Sequence, residues 1–159
     1  MTPPLTPREQ TQWQRLRALA VRRAELAAAD AHRAAEQAQA QVAARQQSIA
    51  VHREALRAHD SAAVHEWASQ LPRWGALVGV RREALFERLE RDEYALIDDE
   101  QALEQAEEAL RLAREALAHA RAREDAVRLL VDAAVRAQGR LREMRAEREL
   151  DDSARRPVA

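Results

Sequence analysis

The sequence predicts an all-α fold, a long antiparallel two-helix coiled-coil hairpin with an overhanging C-terminal helix end. Three observations predict it. Leu89, Leu96, Leu103, Leu110 and Leu117 recur every seven residues, and Ala106, Ala113 and Ala120 follow the last three of them at a spacing of three. A Leu-x-x-Ala heptad makes an apolar stripe along one side of an α-helix, which is stable only when another helix covers it. The chain also has one credible turn, Leu71-Pro72-Arg73-Trp74-Gly75, near its middle. Finally, 33% of the 159 residues are charged, about a quarter are Ala, and only three are Gly. That mixture belongs to long helices, and an Ala-rich seam favours one thin domain over a compact core.

The first helix, expected over about 7–69, has a marked start. Thr6-Pro7-Arg8-Glu9 reads as a capping box, with Thr6 as N-cap, Pro7 at the first helical position and Glu9 reaching back. No Pro or Gly interrupts the chain from there to the turn, although Asp60-Ser61 offers an earlier break that would make 61–70 a separate short helix. The turn is placed at about 70–79, because Pro72 disfavours helix at Leu71 and Gly75 and Gly79 loosen the residues beyond it. The second helix then covers about 80–150, through a tolerated Gly139, and 151–159 form a flexible tail. At ~1.5 Å per residue the arms would be roughly 95 and 115 Å long, the second counted from Trp74, the earliest start of a helix that begins between Trp74 and Val80.

Folding the arms back about Pro72 pairs residues whose numbers sum to 144 or 145. Leu89, Leu96, Leu103, Leu110 and Leu117 then face Leu56, Ile49, Val42, Ala35 and Ala28, while Ala106, Ala113 and Ala120 face Ala38, Ala31 and Ala24. Every layer is apolar on both sides. The two exceptions in the stripe, Asp92 and Asp99, meet His52 and Arg45 in the same register. Such pairs add little net stability but penalise slipped registers, and a parallel homodimer would set Asp92 against Asp92. Toward the N-terminus, Leu5, Leu16, Ala27, Ala38 and Ile49 recur every eleven residues, a spacing that unwinds a left-handed supercoil and puts Trp13 and Leu16 near Val131 and Val127. Residues after about Ala137 have no partner on the first arm.

Charge separates along this hairpin. Residues 1–35 with 111–159 carry 18 Arg and 12 acids, whereas 36–109 carry 8 Arg and 15 acids. Two readings are open: solvated faces, or two ends steered to different partners by opposite fields. Arg136, Arg140, Arg142, Arg145 and Arg148 crowd the overhang beside Leu141, Met144 and Leu150. At the turn, Trp67, Leu71, Trp74, Leu77 and Val78 lie within twelve residues of a chain with 3% aromatics. They form either a local cluster capping the tip or an exposed patch for a partner.

Several functions lose support. The net charge of −1 argues against a dedicated nucleic-acid binder. Absence of Cys removes disulfides and thiolate metal sites. No apolar run approaches the ~18 residues of a membrane span and no signal-peptide core is present, so a cytoplasmic location without membrane insertion is expected. No P-loop, dinucleotide turn, metalloprotease helix or nucleophile elbow occurs. His52 and His59 share a heptad position without the carboxylates that would complete a metal site, and Glu104, Glu107 and Glu108 lie on a solvated face. Neither an enzyme nor a metal or cofactor is expected.

A lone hairpin of this length, with texture such as Ala102-Leu103-Glu104-Gln105-Ala106-Glu107-Glu108-Ala109-Leu110, resembles the stalk proteins of bacterial type III secretion ATPases. These are the FliJ type of flagella and the YscO type of injectisomes, and the high Ala and Arg content leans toward the injectisome branch. The resemblance implies a fold similar to the central shaft of rotary ATPases. It further implies a non-catalytic link, peripheral to the inner-membrane apparatus, between the ATPase hexamer and the cytoplasmic domain of the export gate, with export chaperones as additional partners of some members. On that reading Arg8, Trp13 and Arg15, with Arg136, Arg140, Leu141, Arg142, Met144, Arg145 and Arg148, would bind the ATPase. Trp67, Leu71, Trp74, Leu77 and Val78 would meet the gate or another partner. A self-associating coiled-coil scaffold is the alternative. A membrane-surface helix is disfavoured by the Ala-rich, acid-flanked seam.

Overall fold

The computed structural model describes residues 6–154, which form two helices, α1 (Pro7–His65) and α2 (Leu71–Ala154), joined through 66–70. No strand occurs among the described residues, and the fold is an all-α helical hairpin. The chain divides into two units, one of 1–28 with 113–159 and one of 29–112. In each, a stretch of α1 lies against a stretch of α2.

α1 starts as its sequence dictates. The Thr6 backbone N–H and hydroxyl donate to Glu9 Oε2 at 2.7 and 2.8 Å, and the Glu9 N–H returns to Thr6 Oγ1 at 3.4 Å. The reciprocal box satisfies N–H groups that have no intrahelical partner. It also holds the Glu9 carboxyl below its ordinary range, chiefly through the Thr6 backbone bond.

Burial follows strict heptads. On α1 the steps from Gln10 through Arg17, Ala24, Ala31, Ala38, Arg45 and His52 to His59 are all buried or half-buried, as are those from Val21 to Leu56. On α2 the same holds from Leu89 through Leu117 and Glu124 to Val131 and Gln138. The eleven-residue spacing does not mark the seam. Leu16 is 57% and Trp13 46% exposed, Ala27 is exposed, and Leu5 lies outside the described residues. The heptad of burial is kept there by polar residues, Gln10, Arg17 and Glu124, at seam positions.

Within unit 29–112, antiparallel register is read directly from ion pairs. Arg82 Nε lies 2.8 Å from Asp60 Oδ1, Arg53 Nη2 2.6 Å from Glu93 Oε1, and Arg45 Nε 3.0 Å from Asp99 Oδ2. Ile49, at 4% exposure, is the deepest aliphatic of its seam, followed by Leu89, Ala35 and Ala38 at 8%. Within the unit of 1–28 with 113–159, Arg121 Nη2 meets Glu25 Oε1 at 3.0 Å, and Val21 and Val131 are buried.

The connection differs from the expected one. α1 passes through Asp60-Ser61 unbroken but ends at His65 rather than near 69, so 61–70 is no separate helix. Ala62 C=O accepts from both Glu66 and Trp67 N–H at 2.9 Å, closing the last turn. The turn occupies 66–70 instead of 70–79, and α2 begins at Leu71 instead of about 80. Gln70 C=O receives the Arg73 and Trp74 N–H groups at 3.0 Å, which puts Pro72 in the first helical turn. There a proline lacks only an N–H that would have no intrahelical partner, so it starts the helix and does not break it. Gly75 and Gly79 are helical, with no positive φ. α2 also extends past 150, so the expected tail at 151–159 is helical as far as Ala154; 155–159 lie outside the described residues.

Candidate functional site

Three places carry more chemistry than a plain coiled coil requires. The first is a polar cluster in the seam of unit 29–112. Arg45 donates through Nε to Asp99 and through Nη1 to Asp92 Oδ1, both at 3.0 Å. Ser48 Oγ donates to Asp92 Oδ2 at 2.6 Å, and His52 Nδ1 stands 3.1 Å from the same oxygen, off hydrogen-bond geometry. The Ser48 bond, then the Arg45 bond, hold the Asp92 carboxyl below its ordinary range against the opposing effect of burial. Both register partners expected from the sequence, Arg45 with Asp99 and His52 with Asp92, are therefore adjacent. The heptad pattern does not disclose that Arg45 spans two aspartates one heptad apart, or that Ser48 joins them. Arginine has the reach and the fork to do so.

The second place is the C-terminal part of α2. Seam burial ends at Gln138 and Gly139, and every residue from Arg140 to Asp151 is exposed. Arg136, Arg140, Arg142, Arg145 and Arg148 are all exposed, with no ion pair among the described residues. Leu141 is 50%, Met144 46% and Leu150 68% exposed, so this helix shows both cations and apolar side chains to its surroundings. In the same unit Arg8 and Arg15 are exposed and line a shallow depression with Thr11, while the Arg17 guanidinium lies 5.8 Å from the Trp13 ring. No hydrogen bond, ion pair or ring contact joins these N-terminal residues to 140–148 among the described residues. The unit holds 16 Arg against 11 acids, and unit 29–112 holds 10 Arg against 16 acids, so the charge separation follows the division of the chain.

The third place is a cavity beside the turn, of ≈ 330 Å³, walled by Trp67, Leu71, Trp74, Leu77 and Val78 with Gln70, Arg81 and His59. The residues singled out from the sequence thus come together, though not as a closed cap or a flat patch. Trp67 is half-buried edge-on against His59, with centroids 5.4 Å apart at 74°, while Trp74 is 44% and Leu77 61% exposed. Arg73 lies 5.1 Å over the Trp74 ring. His59 is 5% exposed, and both of its ring nitrogens are buried without a hydrogen-bond partner. Sequence reasoning puts it in the seam or on the surface and attaches no role to it. A signal is available all the same, because in register it faces Leu85 where His52 faces Asp92.

Among the described residues no group of three or more His, Asp or Glu could hold a metal ion, and no helix is long and apolar enough to cross a membrane. Comparison with protein-family models, with curated proteins and with solved structures finds no match to this chain.

Proposed function

We propose that this chain is a non-catalytic stalk of a bacterial type III secretion system, linking the secretion ATPase hexamer to the cytoplasmic domain of the export gate. The observation that carries the reading is α2 beyond Gln138: a helix continued to Ala154 after its seam has ended, exposed throughout 140–151, with Arg140, Arg142, Arg145 and Arg148 interspersed among acids and apolar side chains. Such a segment has no role inside a two-helix seam. A shaft in a ring must touch several subunits weakly and reversibly, which long Arg stems with charged heads suit better than one large apolar patch. Arg140, Arg142, Met144, Arg145 and Arg148, with Arg8, Trp13 and Arg15 of the same unit, are assigned to the ATPase, and the cavity beside the turn to the gate or a chaperone.

Truncation after Ala137 tests the assignment. The shortened protein should keep its heptad seam, helical signal and melting temperature, and should lose binding and stimulation of the ATPase. Full stimulation by the truncated chain would overturn the assignment of that segment. The exposure of Leu141, Met144 and Leu150 also suits the alternative, a self-associating scaffold. Sedimentation separates the two, since concentration-dependent self-association abolished by the truncation, without ATPase capture by the full chain, favours the scaffold.

A further inference from the structure

We propose that the exposed stretch of α2 after Gly139 pairs antiparallel with the same stretch of a second copy of this chain, and that the pair conceals the residues assigned to the ATPase. The inference rests on that assignment and names what covers the stretch before the ATPase does. Seam burial within the chain ends at Gln138 and Gly139, and every residue from Arg140 to Asp151 is exposed. Leu141, 50% exposed, and Met144, 46% exposed, stand on one side of the helix. Ala137 and Arg148 extend that side in both directions, at steps of four, three and four. So short an apolar stripe gains only from another helix laid along it.

Charge selects the partner and its direction. Arg140 and Glu147 flank the stripe along one edge, and Gln138 and Arg145 flank it along the other. Arg140, Arg145 and Glu147 make no ion pair within the chain among the described residues. In an antiparallel pair related by a two-fold axis, each edge meets the same edge of the other copy. The register that sets Leu141 on Met144 therefore brings Arg140 to Glu147 and Arg145 to Gln138, each contact twice, with the Arg148 stem over Ala137. A parallel pair would set Arg140 beside Arg145, and a slip of one heptad would set Leu141 against Asp151 and Met144 against Arg148. The surface that matches both the stripe and its charged edge is the stretch's own reverse. Two Leu–Met layers and two Ala–Arg layers cover well under the ~800 Å² per partner of a standard interface, so the pair is weak and opens when the ATPase takes Arg140, Met144, Arg145 and Arg148.

Sedimentation equilibrium of the full chain, from micromolar to millimolar concentration, should show a monomer–dimer equilibrium. Glu147→Arg should weaken the dimer by roughly 10-fold or more, because two attractive edge contacts become repulsive. Adding Arg140→Glu to Glu147→Arg should restore it, with the helical signal unchanged in both variants. Direction is read from Leu141→Cys and Met144→Cys, each the single cysteine of its chain. Mixed and oxidised, the two should cross-link to each other in preference to themselves. A chain monomeric throughout the range, a double variant that does not recover, or preferential self-cross-linking overturns the proposal. Added ATPase should dissociate the pair, and a complex that retains both copies overturns the concealment. A chain that stays monomeric yet stimulates the ATPase loses only the self-pairing; one that pairs in this way but neither binds nor stimulates the ATPase loses the stalk reading instead.

Discussion

Ile49→Ala and Val51→Ala form a matched pair that tests the seam. Ile49 is 4% exposed and faces Leu96 in register, whereas Val51, two residues on, is 60% exposed. Isoleucine to alanine removes three carbons, about 2.4 kcal/mol at ~0.8 kcal/mol per buried CH₂. A two-helix seam is open along its flanks, so side chains and water relax into the gap and the cavity penalty stays small. The total should be about 2–3 kcal/mol, at the low end of the ~2–5 kcal/mol of such truncations. Val51→Ala should fall within about 0.5 kcal/mol of the parent. Urea unfolding followed by far-ultraviolet circular dichroism should show a lower midpoint for Ile49→Ala at unchanged slope, and a melting temperature lower by roughly 5–10 °C. Equal losses for the two variants, or none for Ile49→Ala, would refute a seam built on the heptad.

Other expectations concern the polar cluster and the helix beyond it. Arg45→Met strands Asp92 and Asp99 together without their shared cation, and should lower the melting temperature more than Asp99→Leu, which leaves Arg45 bonded to Asp92. The folded Asp92 carboxyl titrates below its ordinary 3.8, so its contribution is complete above that value and is lost as pH falls further, through the folded pKa. Asp60, held down first by its bond from Arg82, behaves alike. Melting scans at decreasing pH should therefore show a loss concentrated below about pH 4, made shallower by Asp92→Asn. Gly139→Ala meets nothing within 4 Å of the added Cβ and should stabilise α2 by about 0.5–1 kcal/mol, visible as slower amide exchange around it.

The register is legible in the sequence because it is redundant. The leucine and alanine steps, the two aspartates and their basic partners each point to the same antiparallel pairing, and ion pairs within unit 29–112 repeat it. The N-terminal stretch misleads for a physical reason. Heptad positions at Gln10, Arg17 and Glu124 are polar, so an eleven-residue apolar recurrence looks like the better period although its members Leu16 and Ala27 are exposed. The turn is displaced in the sequence reading because Pro72 is weighed there as a breaker, when its position in the first turn makes it a starter. The cavity is half legible. Its tryptophans stand out in an aromatic-poor chain, but His59 joins them only once α1 is known to reach His65 and to carry its heptad to the end.

The polar seam and the cavity are mechanically one device. The cavity draws His59 from α1 and Trp74, Leu77, Val78 and Arg81 from α2, so it exists in a single register. A slip of one heptad in one direction would set Asp99 against Ala38 and leave a carboxylate in an apolar layer, even though Arg45 would still face Asp92, and a slip in the other would set Arg45 against Ala106. Leucine at 92 and 99 would lift that penalty and make the slipped state tolerable. Two aspartates, one arginine and one serine thus sacrifice apolar area in the seam of unit 29–112 and gain a fixed alignment there. The gain falls on the residues beside the turn, which come together only when both helices arrive in step.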